Sequence, residues 1–272
     1  MFIFALIVKH IKIITINTWK CDGDYQARMR ILADQLFAIK PDIVACQECF
    51  YSDEARANTL KFLADKLKMN YVFLPARFKK RYFEGGLVDS YSGLGVLSAH
   101  PIASFKHFDL PAVPDDDERK VLLAEVEVEG SSKITIVNTH LTHLRYEVDL
   151  RKAQAKVVAD IAIANKKDTY TVICGDFNAK IDSAEINMLL NKSKAIDCYA
   201  AGNGSKPRYS LADSYLRNMP ICVDHLLGLP YQSKKSYPEF INSCIVLNIP
   251  DKKTGLYPSD HFGICTTLVL NN

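Results

Sequence analysis

The sequence predicts an α/β (α+β) fold, read as one domain over residues 1–272. Three observations carry this. Short apolar runs alternate with amphipathic stretches along the whole chain. No internal repeat or low-complexity tract interrupts them, and no Gly/Ser/Pro-rich linker divides them; the nearest to one is a loop at 201–207. The composition is globular, with 48% hydrophobic and 24% charged residues. A chain of this length buries about three quarters of its surface and needs no disulfide or structural metal to fold.

The elements follow in order. Residues 11–16 read as a strand. Residues 25–39 read as a helix, because Met29, Leu32, Leu36 and Ile39 recur on one face and Pro41 follows its end. A short apolar strand at 43–45 precedes a second helix at 55–67, which keeps Leu60, Leu63 and Leu67 in phase. Strands at 71–74 and 94–97 come next. Val121, Leu123, Val126 and Val128 sit among acidic residues in a half-exposed strand, and 134–139 is another. The longest helix, 148–164, aligns Leu150, Ala153, Val157, Ile161 and Ala164. Strands at 170–174, 221–226, 241–247 and 264–270 complete the pattern.

Charge and cysteine content exclude several function classes. Lys and Arg number 34 against 31 Asp and Glu, a net +3, too weak a surplus to mark a nucleic-acid-binding domain of pI above about 9, though it leaves room for a local basic groove. The apolar run Phe2 to Val8 is too short for a membrane span, which needs roughly 18 residues. Its basic residues, Lys9 and Lys12, follow it rather than precede it, against a signal peptide. It reads as a buried strand or a lead into one. The eight cysteines lie mostly in apolar runs and read as buried thiols of a reducing compartment. A cytoplasmic location is the expectation, with export left open. Cys46-Gln47-Glu48-Cys49 has the C-x-x-C form but lacks the second pair that a zinc site needs.

The chemistry gathers at strand ends, where an α/β scaffold places working groups. The strand at 11–16 ends in Asn17, and 43–45 runs into Gln47-Glu48. The strand at 134–139 ends in Asn138-Thr139-His140, and 170–174 runs into Gly175-Asp176-Phe177-Asn178. Asp224-His225 follows Cys222-Val223, and Ser259-Asp260-His261 precedes the last strand. Taken singly, each reads as a turn former or a solvated end. Together they supply carboxylates, amides and imidazoles that suit a hard divalent cation and acid–base work at phosphorus.

These motifs resemble the endonuclease/exonuclease/phosphatase superfamily of metal-dependent phosphoesterases. The matching segments, in the family's order, are Ile16-Asn17-Thr18-Trp19, Pro41 to Glu48, Gly93 to Ser98 with Pro101-Ile102, and Asn138-Thr139-His140-Leu141. Arg151 and Gln154, Gly175 to Asn178, Val223-Asp224-His225 and Ser259 to Phe262 follow. The resemblance implies two packed β-sheets flanked by helices, a four-layer sandwich. It implies Mg²⁺, with Mn²⁺ as a substitute, held by Glu48 with Asn17 and Asp260. It also implies Asp176 orienting or activating water, Asn178 holding the phosphate or the nucleophile, and His140 donating to a phosphate oxygen. His261 would face the scissile phosphate, with Asp224 on its other ring nitrogen. The expected activity is hydrolysis of a phosphodiester or phosphomonoester by metal-assisted in-line water attack. The expected partner is a phosphate-ester substrate: nucleic acid, phospholipid headgroup or small metabolite. The chain is expected to be a monomer without a transmembrane segment. A catalytically silent binding module is the alternative.

Departures narrow the substrate. Phe50 stands where the abasic-site DNA repair branch carries Lys, and His225 where it carries Tyr, so repair of abasic DNA is not expected. In the run Arg77 to Phe83, Arg77, Lys79, Lys80 and Arg81 interleave with three aromatics. That run reads as a grip on nucleic acid or lipid headgroups, or as a solvated loop. Asp115 to Glu118 reads as an exposed loop, and Lys234-Lys235 and Lys252-Lys253 as solvated. Glu84 lies near the position of a carboxylate that orients the His140 equivalent in some relatives.

Overall fold

The computed structural model describes residues 9–128, 132–166, 170–231 and 236–270. Its elements are β1 (Lys9–Asn17), α1 (Tyr25–Ile39), β2 (Ile43–Ser52), β3 (Ala57–Asn58), α2 (Thr59–Leu67), β4 (Asn70–Phe83), β5 (Gly86–Ser98) and β6 (Ile102–Asp109). There follow β7 (Lys120–Glu127), β8 (Lys133–His140), α3 (Val148–Asn165), β9 (Tyr170–Asp176), α4 (Ala184–Ser193), β10 (Ile196–Asp197) and α5 (Cys198–Asn203). The last are α6 (Ala212–Leu216), β11 (Asp224–Gly228), β12 (Glu239–Val246) and β13 (Gly263–Leu270).

Two sheets stack face to face. One runs β12-β13-β1-β2-β5-β4 with β3 on β2, the other β10-β11-β9-β8-β7-β6. Each has a central parallel pair, β1 with β2 and β8 with β9. Strands buried on both faces explain the unbroken apolar runs. The inner faces form one cluster that includes Ile13, Val96, Ile136, Val172 and Leu268. Helices α1 and α2 bury Met29, Leu32, Leu36, Leu60 and Leu63 on the outer face of the first sheet. Helix α3 and α4 bury Val158, Ala162, Ile186 and Leu189 on that of the second. This is the expected sandwich of helix, sheet, sheet and helix layers.

Local chemistry sets the boundaries. Asp24 caps α1 by accepting from Ala27 N, and Asn58 caps α2 by accepting from Lys61 N. The Asn58 cap places the start of α2 at Thr59 instead of residue 55; Ala57–Asn58 pairs with β2. The expected strand at 221–226 begins later, at Asp224. The expected loop at 201–207 overlaps α5. Residues 2–8 and Lys234-Lys235 lie outside the described residues. No helix among the described residues is long and apolar enough to cross a membrane.

The largest departure is the hairpin of β4 and β5. The strands expected at 71–74 and 94–97 extend to a paired ribbon that reaches Phe83↔Gly86. The basic run 77–83 is therefore a strand and not a loop. A bulge between Pro75 and Arg77 sets its phase. Arg77, Lys79 and Arg81 then line a cleft of about 210 Å³, while Phe78, Lys80 and Tyr82 do not. In the segment 115–118, Asp115, Asp117 and Glu118 are exposed as expected, and Asp116 alone departs, at 0% exposed.

Candidate active site

Strand register assembles the site. Across β8, β9 and β11, His140 pairs with Asp176 and Asp176 with Asp224, so three functional side chains stand in one row. Asp224 begins its strand rather than ending it, but β11 runs antiparallel to β9, so its start lies at the same edge. In the facing sheet Asn17 pairs with Gln47, and His261 precedes β13, which pairs with β1. Two buried polar pairs tie the sheets together here. Asn17 Nδ2 donates to Asp176 Oδ2 at 3.0 Å, and Gln47 Nε2 donates to Asn138 Oδ1 at 2.7 Å.

Backbone conformation aims the remaining groups. Glu48 sits in a β-bulge between Cys46 and Cys49 with φ 53°, which turns its side chain into the cleft instead of leaving it on a sheet face. Trp19, Lys20 and Asn178 also have positive φ, and such backbone clusters at functional sites. Asp176 Oδ1 accepts from Asn178 N at 2.9 Å, and Asn178 Nδ2 donates to Leu141 O at 3.0 Å. Gly175 makes the β8–β9 approach possible: a Cβ there would lie 1.9 Å from Thr139 O, and its φ is 144°.

His261 Nδ1 lies 2.8 Å from Asp224 Oδ2. Its Nε2 lies 3.8 Å from Asp176 Oδ2, and His140 Nε2 lies 3.4 Å from that same oxygen. The two imidazoles take opposite charge states. Burial opposes charging of His261, but Asp224, Asp176 and Asp260 outweigh it and push its pKa up to about 10. Burial, then Arg119 and His261, hold His140 well below its ordinary value. Burial and the charge of Asp224 push Asp176 up, and burial raises Asp260, with Glu48 adding to it.

The donor set fits a hard divalent cation. Among the described residues Asp176, Asp224 and His261 bring ligand atoms within 4.8 Å of one another, a cluster that includes none of the expected ligands Asn17, Glu48 and Asp260, and the protonated His261 is no ligand. Glu48 already attracts a cation: Lys20 Nζ lies 2.8 Å from its Oε2 and 3.4 Å from Asp22. Carboxylate and amide oxygens from Glu48, Asn17 and Asp260 are the ligands Mg²⁺ prefers.

Every residue expected at the phosphate centre comes to this edge: Asn17, Glu48, His140, Asp176, Asn178, Asp224, Asp260 and His261. Arg77, Lys79 and Arg81 line the adjoining cleft. Lys80 does not; it pairs with Asp89 at 3.0 Å. Glu84 does not orient His140, since its partner is Gln26 at 3.0 Å. Cys46 and Cys49 are buried in the apolar cluster under α1. Arg151 and Gln154 hold the turn after β8, through Thr142 O, Leu144 O and Thr142 N.

Sequence reasoning missed Lys20, Arg28, Asp116, Arg119 and His143. Arg28 is fully buried and donates to the carbonyls of Thr18, Trp19, Lys20, Asp22 and Pro258. It thereby shapes the loop that carries Lys20. A basic residue on the apolar face of α1 was the available signal.

Residues 14–261 match the model of the Endonuclease/Exonuclease/phosphatase family. The chain is 27% identical to Protein angel of Drosophila melanogaster over 269 residues, covering 88% of this chain and 71% of that protein. Among solved structures it is similar to an endonuclease/exonuclease/phosphatase from Beutenbergia cavernae DSM 12333. That pair has a TM-score of 0.77 and 19% identity, covering 97% of this chain and 72% of the other. A humanized D. rerio TDP2 gives a TM-score of 0.74 at 18% identity, covering 95% and 98%. At this identity the structural likeness speaks to the fold alone.

Proposed function

From its place in the endonuclease/exonuclease/phosphatase family, to which this chain belongs and whose members are phosphoesterases, we propose that it is an Mg²⁺-dependent phosphodiesterase. The observation that carries the reading is the row His140, Asp176 and Asp224, faced across the sheets by Asn17, Glu48 and His261.

Glu48, Asn17 and Asp260 would hold the cation, with Mn²⁺ as a substitute. When bound, it supplies charge neutralisation at a phosphoryl or leaving-group oxygen. The chain's own groups do the rest. Asp176 Oδ2, on the side of both imidazoles, orients the attacking water and takes its proton. Asn17 fixes that carboxylate by donating to it. Asn178, braced by Leu141 O, positions the phosphate. His140 is neutral, so it offers an N–H to a phosphate oxygen without adding full charge. His261 is cationic and locked by Asp224; it faces the phosphorus and stabilises charge building on its oxygens.

A nucleic-acid strand is the substrate class we favour. A D. rerio TDP2 of the same fold was solved with a single-strand DNA product, and the cleft here is basic. All these side chains come from one chain, so a monomer suffices. The eight free thiols accord with a reducing, cytoplasmic setting.

The test is hydrolysis of plasmid DNA, RNA, sphingomyelin micelles, bis-p-nitrophenyl phosphate and phosphomonoesters, with Mg²⁺ and with EDTA. We expect metal-dependent cleavage of diesters that is lost in Asp176→Asn. Cleavage that survives EDTA or the substitution would sink the proposal.

A further inference from the structure

One wall of the cleft takes no part in that chemistry. Asp116 is wholly buried, and its Oδ1 receives Arg119 Nε at 2.8 Å and Nη2 at 2.8 Å. Arg77 Nη1 lies 3.6 Å from the same oxygen, and its Nη2 donates to Asp115 O at 3.1 Å. Asp116 Oδ2 makes no hydrogen bond among the described residues; His143 Nδ1 lies 3.8 Å from it. Arg119 Nη2 is 2.9 Å from His143 Nδ1. A guanidinium only donates, so Nδ1 accepts and the imidazole proton is on Nε2.

One carboxylate thus anchors two guanidiniums on the same cleft wall, and one of them, Arg119, holds the imidazole of His143. Burying a carboxylate is costly, and pairing it with a single arginine would already neutralise it. Glu48, Asp117 and Glu118 also line the cleft, but its lysines and arginines outnumber them and leave a positive surplus. Arg119 also reaches His140 O, with Nη1 at 3.5 Å, which ties this wall to the residue that faces the phosphate. Lys79 and Arg81 line the same cleft, and neither has a carboxylate partner within ion-pair distance among the described residues. Arg81 is held instead by the hydroxyls of Ser90 and Ser92 at 2.9 and 3.1 Å. The strand phase that brings these cations in leaves Phe78 out of the lining, against Tyr91 with ring centroids 5.2 Å apart. Recognition here is of charge and not of stacked bases.

We propose that Arg77, Lys79 and Arg119 form a subsite for a second phosphate group of the substrate, next to the phosphate that faces His140. Asp116 is its positioning residue. The orientation rests on the phosphodiesterase reading above. A choline headgroup, with its fixed positive charge, is repelled from this wall. The second phosphate comes either from the next link of a nucleic-acid strand or from a small bisphosphate.

The test is calorimetric titration of the full chain with thymidine 3′,5′-bisphosphate and with thymidine 5′-monophosphate. We expect the bisphosphate to bind about tenfold tighter or more, as one charge-assisted contact supplies. That ratio should fall towards one in Arg77→Gln and in Arg119→Lys, and persist in Lys252→Gln, at an exposed residue outside the cleft lining. Arg119→Lys keeps a cation beside Asp116, and thermal melting confirms that each variant is folded. Equal affinities in the wild type, or a ratio untouched by Arg77→Gln, would overturn the subsite. Displacement of the bisphosphate by a short thymidine oligonucleotide identifies the strand as its source; displacement by bisphosphates alone identifies a metabolite. Hydrolysis of bis-p-nitrophenyl phosphate, which lacks a second phosphate, tests the phosphodiesterase reading separately, so the two can fail independently.

Discussion

The two halves of the polar edge use charge in opposite ways. In the buried half, Asp176 and Asp224 are at most 2% exposed, and fixed neighbours set the protonation of Asp176, His140 and His261. Two histidines facing one carboxylate oxygen are driven apart there, one cationic and one neutral. In the open half, Glu48, Lys20, Arg77 and Lys79 border a cleft open to solvent, where their charges are screened and available to a ligand. The difference teaches a division of labour: burial fixes the chemistry, and exposure leaves room for a cation and a substrate to choose their contacts.

Substitutions in the buried half should break the comparison hardest. Loss of the imidazole in His261→Ala should lower kcat on bis-p-nitrophenyl phosphate by about 10³-fold, the scale of a charge-stabilising donor aimed at the reacting group. Arg77→Gln in the open half should cost far less on the same substrate; equal losses would erase the distinction. Gly175→Ala attacks the packing under the buried half. Its Cβ would meet Thr139 O at 1.9 Å, and we expect about 3 kcal/mol of lost stability, read from urea unfolding. An unchanged midpoint would show that β8 and β9 can separate.

Smaller effects sharpen the contrast. Lys20→Met removes the ammonium that competes for Glu48. Half-saturating Mg²⁺ should fall about two- to fivefold, the scale of a partly exposed ion pair; a rise would mean that Lys20 supports the cation's binding. The mildest test is pH. Burial holds His225 down at about 4, against about 6.5 when unfolded. The folded state then binds fewer protons, so this stability is complete above about 6.5 and drains as pH falls towards 4. His225→Asn should flatten that acid limb in urea midpoints measured from pH 7 to 4. A limb of unchanged slope would assign it to other groups.

Much of this was legible in the sequence. The central strands are buried on both faces, so their apolar runs announce them, and the polar residues where they stop mark the site. Peripheral elements were hidden because burial does not pattern them. Strand β6 is an edge strand with mostly exposed side chains, and its sequence carries no alternation. Helix α4 is short, with its buried face shared between Ile186, Leu189 and the ion-paired Glu185. The β4 ribbon reads as a charged loop because one of its faces lines water. Asp116 looks solvated among acidic neighbours, and only its arginines, one 39 positions earlier in the chain and the other three later, reveal it as buried. The bulge that aims Glu48 depends on pairing with β5, which no local pattern reports.

The junction of β1 with β13 has a consequence for how the molecule comes into being. Lys9 to Thr15 pair with Leu270 to Ile264, and Ser259 Oγ bonds Asn17 O at 2.7 Å. Residues more than 240 positions apart must meet before the polar edge closes, and contacts of such long range form slowly. During synthesis, then, a chain that has emerged only through β11 holds most of its carboxylates but neither His261 nor the strand that seats Asn17. On the phosphodiesterase reading proposed above, such a nascent chain lacks His261 and is inactive until β13 docks. The appearance of activity would therefore time the closing of the fold.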